Sequence, residues 1–546
     1  MVEEIALPGQ RRRKSSNSGV YVINGGNIED FQDLKRELDN TEGEADLETA
    51  LSKCGFGIFN IALLLLSFPA STTAAFEAGS MSYVIPAASN DLGLTPNDKA
   101  MLHSARFAGM MASGFLWGFI SDALGRKKLL VLGFLLNGTL NILAGIFPIL
   151  SLMIVFKFLT GFIFCGPSSI FMAYVSEVFL KKGRNIAVLS MGTYNAIGQI
   201  TQAGLAMWII PMKVPSQIPL DSWQLFQMVC ALPSLISGIG CIFFVESPKF
   251  LADKGYHEEA LKVCRTIYSI NTRNPASNYP IKKLKHDSTK NDDRSNFSKF
   301  MDGMDIFKPP FINKAVIIFF IHLGAVGLNN ILRLWLPEMF SLVSSSNLDP
   351  EEGLCPLLHE GNLARSNLTS EQLKNEDVYF KMMLVNVGGL IGHICFLISV
   401  SFVGKKIMEF GCIMVAGVNS FIIPLISAEY VIILSSISLT LYNICIFCNI
   451  NIMVELFPTR IRATSVSVLM MISRTGTFCL NFVIANLIYD YCQYLFYGFT
   501  FYSLVMAALT LLIPQKPIEQ KPPKPSKLNG VTSLKASPSS TRDTVL

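Results

Sequence analysis

Charged residues are scarce in this chain of 546 residues. Lysine, arginine, aspartate and glutamate together make up 16% of it, whereas soluble proteins carry about a quarter. Between the bunched charges lie apolar runs of about 20 residues, the length at which a helix crosses a bilayer. Because these runs are continuous and do not alternate with a period of two, they favour membrane helices over a β-barrel. The formal net charge of +5 follows membrane topology, so it does not indicate a nucleic-acid partner.

Signatures of catalysis and of cofactor binding are also missing. We find no P-loop, no nucleophile–base set and no cluster of metal ligands, so we expect neither an enzyme nor a cofactor or metal site. Most of the 12 cysteines lie inside apolar runs, so we expect no disulfide framework. Residues 1–54 are polar and lack the short apolar core of a cleavable signal peptide, so the first membrane helix is expected to direct its own insertion.

Twelve apolar runs have the length of membrane helices. They lie at about residues 56–79, 101–121, 129–149, 152–174, 186–210, 226–245, 313–336, 381–403, 407–427, 430–453, 464–488 and 494–513. Lysine and arginine concentrate in one set of alternate loops and in both chain ends, which predicts that these loops and both termini are cytoplasmic. The chain therefore divides into a cytoplasmic tail, a six-helix bundle, a cytoplasmic loop, a second six-helix bundle and a cytoplasmic tail, at 1–54, 55–246, 247–312, 313–514 and 515–546.

The two long loops differ in character. Within the cytoplasmic loop, residues 257–270 have the pattern of a helix, and residues 271–295 have the composition of a disordered linker. The other long loop, at 341–378, is predicted to lie outside as part of the second bundle. It contains Asn367 in an Asn-Leu-Thr triplet, which is an acceptor for N-glycosylation. Asn367 is therefore our candidate glycosylation site.

The two predicted bundles carry an internal repeat. The segment EVFLKKGR at 177–184 recurs as ELFPTRIR at 455–462, and GRK at 125–127 recurs as GKK at 404–406. The first pair is offset by 278 residues (177 to 455) and the second by 279 (125 to 404). Six-span halves related by parallel repetition, with a substrate site between them near the membrane midplane, are the plan of one class of transporter.

These segments resemble those of the Major Facilitator Superfamily. GFISDALGRKK at 118–128 is similar to its loop between helices 2 and 3, and 177–184 and 455–462 resemble its paired loops after helices 4 and 10. VESPKFLADKGYHEEALKV at 245–263 resembles the segment after helix 6 in the sugar-porter and organic-ion branch, and SRTGTFCLNF at 473–482 looks most like the synaptic-vesicle-glycoprotein type. The resemblance implies an all-α membrane protein with twelve transmembrane helices in two pseudo-symmetric six-helix bundles.

The resemblance also implies a function. We expect a transporter that moves a small organic solute across the lipid bilayer by alternating access, with an organic ion as one candidate substrate and a proton as one candidate coupling partner. The membrane would be the plasma membrane or that of an intracellular vesicle. The alternative is a non-transporting vesicle membrane protein of the same fold that acts as a scaffold or receptor. Ala74, which stands where relatives of this type carry Asp, favours this alternative.

Polar residues inside the spans are the candidates for substrate binding and coupling, because an ionisable group in a span is costly and usually functional. We hypothesise that Glu77 and Lys157, at similar depth, form an ion pair in the central cavity that substrate or a proton disrupts; a static pair is the alternative. Arg333 and Arg474 are favoured ligands, because a buried guanidinium needs an anionic partner or an anionic substrate. The remaining candidates are Asn195, Gln199, Asn330, Tyr442, Asn443 and Asn481. Trp335, near a span end, is expected to be an interface anchor.

The basic loops supply a candidate cytoplasmic gate. Asp122 and Arg126 are predicted to pair with each other and with Glu177, and so to latch the cytoplasmic face in the outward-open state. Exposed pairs are individually weak, so a network is needed. Its predicted members are Gly118, Asp122, Gly125, Arg126, Glu177, Arg184, Glu455, Arg460 and Arg462. Ser401 stands where the repeat would have an Asp, so we expect an asymmetric latch.

Overall fold

The structure is a computed structural model, and it describes residues 44–114, 116–213, 220–285, 304–364, 376–399 and 402–513. The candidate glycosylation site Asn367 and the repeat position Ser401 lie outside these residues. Long helices dominate the described part, because a chain that crosses hydrocarbon must satisfy its backbone hydrogen bonds within its own segment.

The helices fall into two halves joined by a small connecting region. The first half holds β1 (Glu44–Ala45), α1 (Leu47–Lys53), α2 (Ile58–Ala88), α3 (Pro96–Ser113), α4 (Leu116–Leu124), α5 (Arg126–Ile146), α6 (Leu150–Val178), α7 (Lys181–Ile209), α8 (Ser222–Val229) and α9 (Leu232–Ile242). The connection holds α10 (Pro248–Asp253), α11 (His257–Thr272) and β2 (Lys283–Leu284). The second half holds α12 (Ile312–Ser345), α13 (Leu354–Ala364), α14 (Glu376–Ser399), α15 (Lys405–Ile422), α16 (Ala428–Leu456), α17 (Thr459–Leu487) and α18 (Cys492–Leu511).

Counting α3 with α4, and α8 with α9, as single spans gives twelve spans in the described part of the chain, which confirms the predicted all-α membrane fold. Among the described residues, ten spans are long and apolar enough to cross a membrane by composition alone. The other two, α3 with α4 and α7, are more polar. Because α3 packs against α17 and α7 packs against α14, the polar residues of these two spans can face the other half and avoid lipid.

The repeated glycines mark the same tight turn in both halves. Gly125 precedes α5 with a φ of 94°, and Gly404 precedes α15 with a φ of 65°. A positive φ is accessible to glycine at no steric cost, whereas other residues rarely adopt it. The short sequence repeat therefore has a conformational cause. We call the end of the molecule that carries these two turns the basic end.

The arm before α2 and the connection between the halves pack together. The helix predicted at 257–270 is confirmed as α11. The expectation of a disordered linker after it is wrong as far as residue 285, because β2 pairs in parallel with β1. Tyr279, Ile281 and Leu284 are buried in one cluster with residues of α1, and this apolar contact orders a segment whose composition looked like that of a linker.

The segment between α12 and α14 is tied to the last helix by a disulfide. Cys355 in α13 bonds to Cys492 at the start of α18, across 137 residues of sequence, with the Cα atoms 5.5 Å apart. The expectation that the cysteines form no disulfide framework did not anticipate this bond, which lies at the end opposite the basic end. Disulfides persist in oxidising compartments. Helix α12 extends to Ser345, and α14 begins at Glu376, so helices occupy both ends of the segment predicted as the outside loop.

Replacing Cys355 with Ser should lower the thermal unfolding midpoint of the purified protein in detergent. Native disulfides contribute about 2–4 kcal/mol, largely by constraining the unfolded chain. A reductant should produce the same loss in the unchanged protein. Cys395→Ser removes an exposed free thiol and should leave the midpoint unchanged. Equal midpoints for Cys355→Ser and the unchanged protein would show that the bond contributes nothing.

Candidate functional site

A cavity of about 780 Å³ lies between the two halves. Helices α2, α4, α5, α6 and α7 line it from the first half, and α12, α14, α16 and α17 line it from the second. Its lining extends from the middle of these helices toward the basic end, as far as Met172 in α6 and Val466 in α17. The cavity therefore lies on the basic side of the contact between the halves.

Five of the ten predicted substrate or coupling residues line this cavity. They are Asn195, Gln199, Arg333, Asn443 and Arg474. The other five lie in the interior of one half and do not belong to the lining. These are Glu77, Lys157, Asn330, Tyr442 and Asn481.

Two guanidinium groups face the cavity. Arg474 donates from Nη1 to the carbonyl oxygen of Met110 at 3.3 Å and contacts the Sγ of Cys165 at 3.1 Å, so it reaches across to the first half. Arg333 has a buried Nε without a hydrogen-bond partner among the described residues. No Asp or Glu is among the described residues that line the cavity.

The amides of α7 face α2 and α14. Asn195 donates to the carbonyl oxygen of Ser71 at 3.3 Å, and Gln199 donates to the side-chain oxygen of Asn195 at 2.8 Å. Asn386 of α14, which was not predicted, donates to the carbonyl oxygen of Gln199 at 3.2 Å and to the hydroxyl of Tyr83 at 3.4 Å. These amides therefore join the two halves at one side of the cavity.

Glu77 and Lys157 belong to one buried polar cluster but do not touch. Asn141 lies between them: its amide nitrogen donates to Glu77, and its oxygen accepts from Lys157 Nζ at 2.8 Å. Asn137 also donates to Glu77 at 3.0 Å, and Lys157 donates to Ser80 at 3.2 Å. The cluster joins α2, α5 and α6 inside the first half. The two asparagines were missed, although their spacing of four residues in an apolar span puts them on one helix face.

The remaining candidates of the second half bond within that half. Asn330 donates to Thr477 at 3.2 Å, and Asn481 accepts from the indole of Trp335 at 3.1 Å. The hydroxyl of Tyr442 lies 2.9 Å from that of Ser503.

Trp335 is not an interface anchor. It is 1% exposed, and its ring lies 5.5 Å from that of His103 across the two halves. The prediction of an interface anchor was wrong because α12 continues to Ser345, well past this residue. Trp335 therefore lies away from the end of the helix and not at the membrane surface.

A charged cluster at the basic end links helices of the first half. Arg126 lies 3.6 Å from Glu177, whose other oxygen accepts from the hydroxyl of Ser247 at 2.6 Å. The carboxylate of Glu246 accepts from the backbone N–H groups of Arg126 and Lys127 at 2.9 and 3.0 Å. Glu246 was not predicted. It occupies the start of α5, where free N–H groups favour an anion.

Two other predicted gate residues, Arg184 and Glu455, bond to partners outside this cluster. Glu455 contacts Lys405 within the second half, and Arg184 lies 3.6 Å from Glu48 of the arm, largely in solvent. The side chains of Gly118, Asp122, Arg460 and Arg462 lie outside the described part of the structure.

The halves are held together at the opposite end by a buried ion pair. Lys99 of α3 donates to Glu338 of α12 at 2.6 Å, and these side chains are only 4% and 1% exposed. Lys99 also donates to the hydroxyl of Tyr489 at 3.4 Å. Sequence patterns gave little sign of this pair, because each residue stands near a predicted span end, where a charge looks like a loop residue.

The comparison with known families identifies the fold. A family model described as "Major Facilitator Superfamily" matches residues 67–478. The chain belongs to the Major Facilitator Superfamily. Proteins of this superfamily are transporters and not enzymes, and the match agrees with the predicted class.

Individual relatives and structures agree with this family. The chain is 29% identical to synaptic vesicle glycoprotein 2C of Mus musculus over 291 residues, 51% of this chain and 40% of that protein. It is 29% identical to synaptic vesicle glycoprotein 2B of Rattus norvegicus over 231 residues, 41% of this chain and 34% of that protein. The chain thus spans less than half the length of these relatives.

Solved transporters share the fold at low sequence identity. A partially occluded, inward-open structure of the xylose transporter XylE from E. coli matches with a TM-score of 0.60 at 12% identity, over 84% of this chain and 100% of that one. A crystal structure of a mutant of the nucleoside transporter NupG matches with a TM-score of 0.56 at 13% identity, over 84% of this chain and 100% of that one.

Replacing Asn141 with Leu should destabilise the first half by about 3 kcal/mol, because it leaves Glu77 and Lys157 buried without their common partner. Thermal unfolding in detergent would measure the change. Asn451→Leu is a matched control, since Asn451 is exposed and donates only to the carbonyl of Phe447 in its own helix. Equal effects of the two substitutions would contradict a special role for Asn141.

Proposed function

We propose that the chain transports a small organic solute by alternating access and that the cavity between its halves is the substrate site. The observation that carries this proposal is the one-sided arrangement. The cavity lies toward the basic end, while the halves are joined at the opposite end by the buried pair Lys99 and Glu338. A transporter that alternates needs such a state, with its site reached from one side only.

Two independent features support one orientation of the protein in the membrane. The excess of basic residues in the loops favours a cytoplasmic basic end, and the disulfide at the opposite end favours an outside or luminal compartment there. With this orientation the structure corresponds to an inward-facing state. The names of the matched relatives favour a vesicle membrane over the plasma membrane for this chain, with both termini in the cytoplasm.

The ion pair at the far end is suited to control which side opens. Both charges are buried, so either one without the other would carry a large desolvation cost. Opening the protein toward the outside would separate α3 from α12 and bring water to both charges. Pairing offsets the cost of burying both charges at the closed end, so the loss of either charge would favour the outward-facing state, in which water solvates the remaining one.

A receptor or scaffold of the same fold is the alternative. Ala74 lines the cavity at the position where the resemblance to the synaptic-vesicle-glycoprotein type implies an Asp, so the cavity lacks an acidic group that the resemblance would place in contact with substrate. Purified protein in liposomes, assayed against a solute library with and without a pH gradient, distinguishes the two functions. Saturable flux of one solute supports transport, and no flux of any solute supports the alternative. In the same assay, Glu77→Gln tests proton coupling. If a proton is coupled through Glu77, this substitution should alter the pH dependence of uptake.

Glu338→Gln should shift the protein toward the outward-facing state, because it removes one charge of the closed end. Cys165 lines the cavity and reports the change through labelling by a membrane-impermeant maleimide in oriented vesicles. The exposed Cys395 and Cys479 are replaced by Ser in all variants of this experiment, so that they do not react with the maleimide. We expect several-fold less labelling from the basic side and more from the other side.

The reversed pair Lys99→Glu with Glu338→Lys should restore the original labelling. Asp490→Asn is the control, because it breaks an exposed contact with His359 at the same end and should have no effect. If Glu338→Gln leaves the sidedness of Cys165 labelling unchanged, the pair is a static tie between the halves.

A further inference from the structure

We propose that the substrate is an organic anion whose acidic group binds at Arg333 and Arg474. This inference rests on the proposed function of the cavity and names the class of molecule that the cavity takes. It follows from the charges that line the cavity, from the hydrogen bonds these charges leave unused, and from the positions of the nearby carboxylates.

The lining of the cavity has an excess of positive charge. Arg333 of α12 and Arg474 of α17 both face it, and the described lining residues include no Asp or Glu. Arginine side chains are cations in proteins, so both groups bring positive charge to the lining. Two like charges in a site partly enclosed by hydrocarbon repel more strongly than they would in water. A bound anion removes this unfavourable energy, whereas a cation would add to it.

The hydrogen-bonding capacity of the two guanidinium groups is largely unused. Each has five N–H donors in a planar fork. The hydrogen bonds of Arg474 to described residues both come from Nη1, and they go to a carbonyl oxygen and a thiol. Arg333 donates no hydrogen bond to a described residue, and its Nε is buried. A carboxylate, sulfonate or phosphate accepts pairs of parallel bonds from such forks.

The buried carboxylates of the neighbouring spans are bound elsewhere. Glu77 accepts from Asn137 and Asn141 inside the first half. Glu338 accepts from Lys99 at the far end, and Glu409 accepts from Asn449 of α16 at 2.9 Å. Glu177 of α6 lies 3.6 Å from Arg126 at the basic end, and none of these four carboxylates lines the cavity. The negative charge that Arg333 and Arg474 need must therefore come from outside the described part of the chain.

The other lining residues indicate what the non-acidic part of the anion is like. Trp117 and Phe447 contribute aromatic surface, and Asn329 and Asn443 contribute amides. The side-chain oxygen of Asn329 is buried without a hydrogen-bond partner among the described residues. Pockets of this size hold small organic ligands. The site therefore fits a molecule with an acidic group, an apolar or aromatic body and a hydrogen-bonding substituent, and it fits an inorganic anion poorly.

Three probes of the same shape and different charge test the inference: 2-naphthoate, 2-naphthamide and 2-naphthylmethylammonium. Purified full-length protein is titrated with each, and ligand-induced thermal stabilisation gives the affinity. We expect 2-naphthoate to bind at least 10-fold more tightly than the other two. Arg333→Gln and Arg474→Gln should each weaken its binding at least 10-fold, while binding of 2-naphthamide should change little.

Arg273→Gln is the matched control, because it removes an exposed guanidinium outside the spans and should leave all three affinities unchanged. Arg474→Lys tests whether a loss of binding comes from misfolding, because it keeps the charge and loses only the planar fork of donors. The affinity of this variant for 2-naphthoate should lie between that of the unchanged protein and that of Arg474→Gln. Equal binding of the three probes, or binding of 2-naphthoate that neither arginine affects, would overturn the inference.

The two proposals fail in different ways. Arginine-dependent binding of 2-naphthoate without saturable flux of any solute in liposomes would leave the anion site standing and remove the transport function. Saturable flux of a neutral or cationic solute that Arg333→Gln and Arg474→Gln leave unchanged would leave transport standing and remove the anion site.

Discussion

Hydrocarbon does not solvate charge, and the distribution of polar side chains in this protein follows from that constraint. A charged or amide group within a span must find a partner in a neighbouring helix or face a cavity. Lys157 finds Asn141 and Ser80, Lys99 finds Glu338, and Arg474 reaches Met110. Each of these contacts joins different helices, so the groups that are most costly to bury also determine which helices must stay together.

The contacts divide into those within a half and those between the halves. The cluster around Asn141 and the cluster around Glu177 join helices of the first half only. Such contacts can persist while the halves rotate as rigid units. The ion pair of Lys99 and the carbonyl contact of Arg474 cross between the halves, so they must break or change if access alternates. The same kind of interaction therefore serves rigidity in one place and opposes motion in another.

Local sequence patterns predicted the fold well and part of the lining of the candidate site. Span length, loop charge and the glycine turns at 125 and 404 are properties of short segments, so they could be read from the sequence. The neighbours Asn329 and Asn330 illustrate the limit, since only Asn329 lines the cavity. Adjacent residues on a helix point about 100° apart. The sequence of α12 alone does not determine which face of the helix packs against the first half. Cys355 and Cys492 are separated by 137 residues, so only the folded chain brings them together.

The charge of the cavity bears on when the protein can change state. Closing the basic end would take Arg333 and Arg474 out of contact with water, and two unpaired cations in a closed, low-dielectric site are unfavourable. An empty cavity would therefore resist closure. A bound anion would supply the missing charge and hydrogen-bond acceptors, which lowers the cost of closing around it. In the proposed mechanism, the arginines that bind the anion would also couple its presence to the conformational change, and the ion pair at the far end would set how much binding energy that change requires.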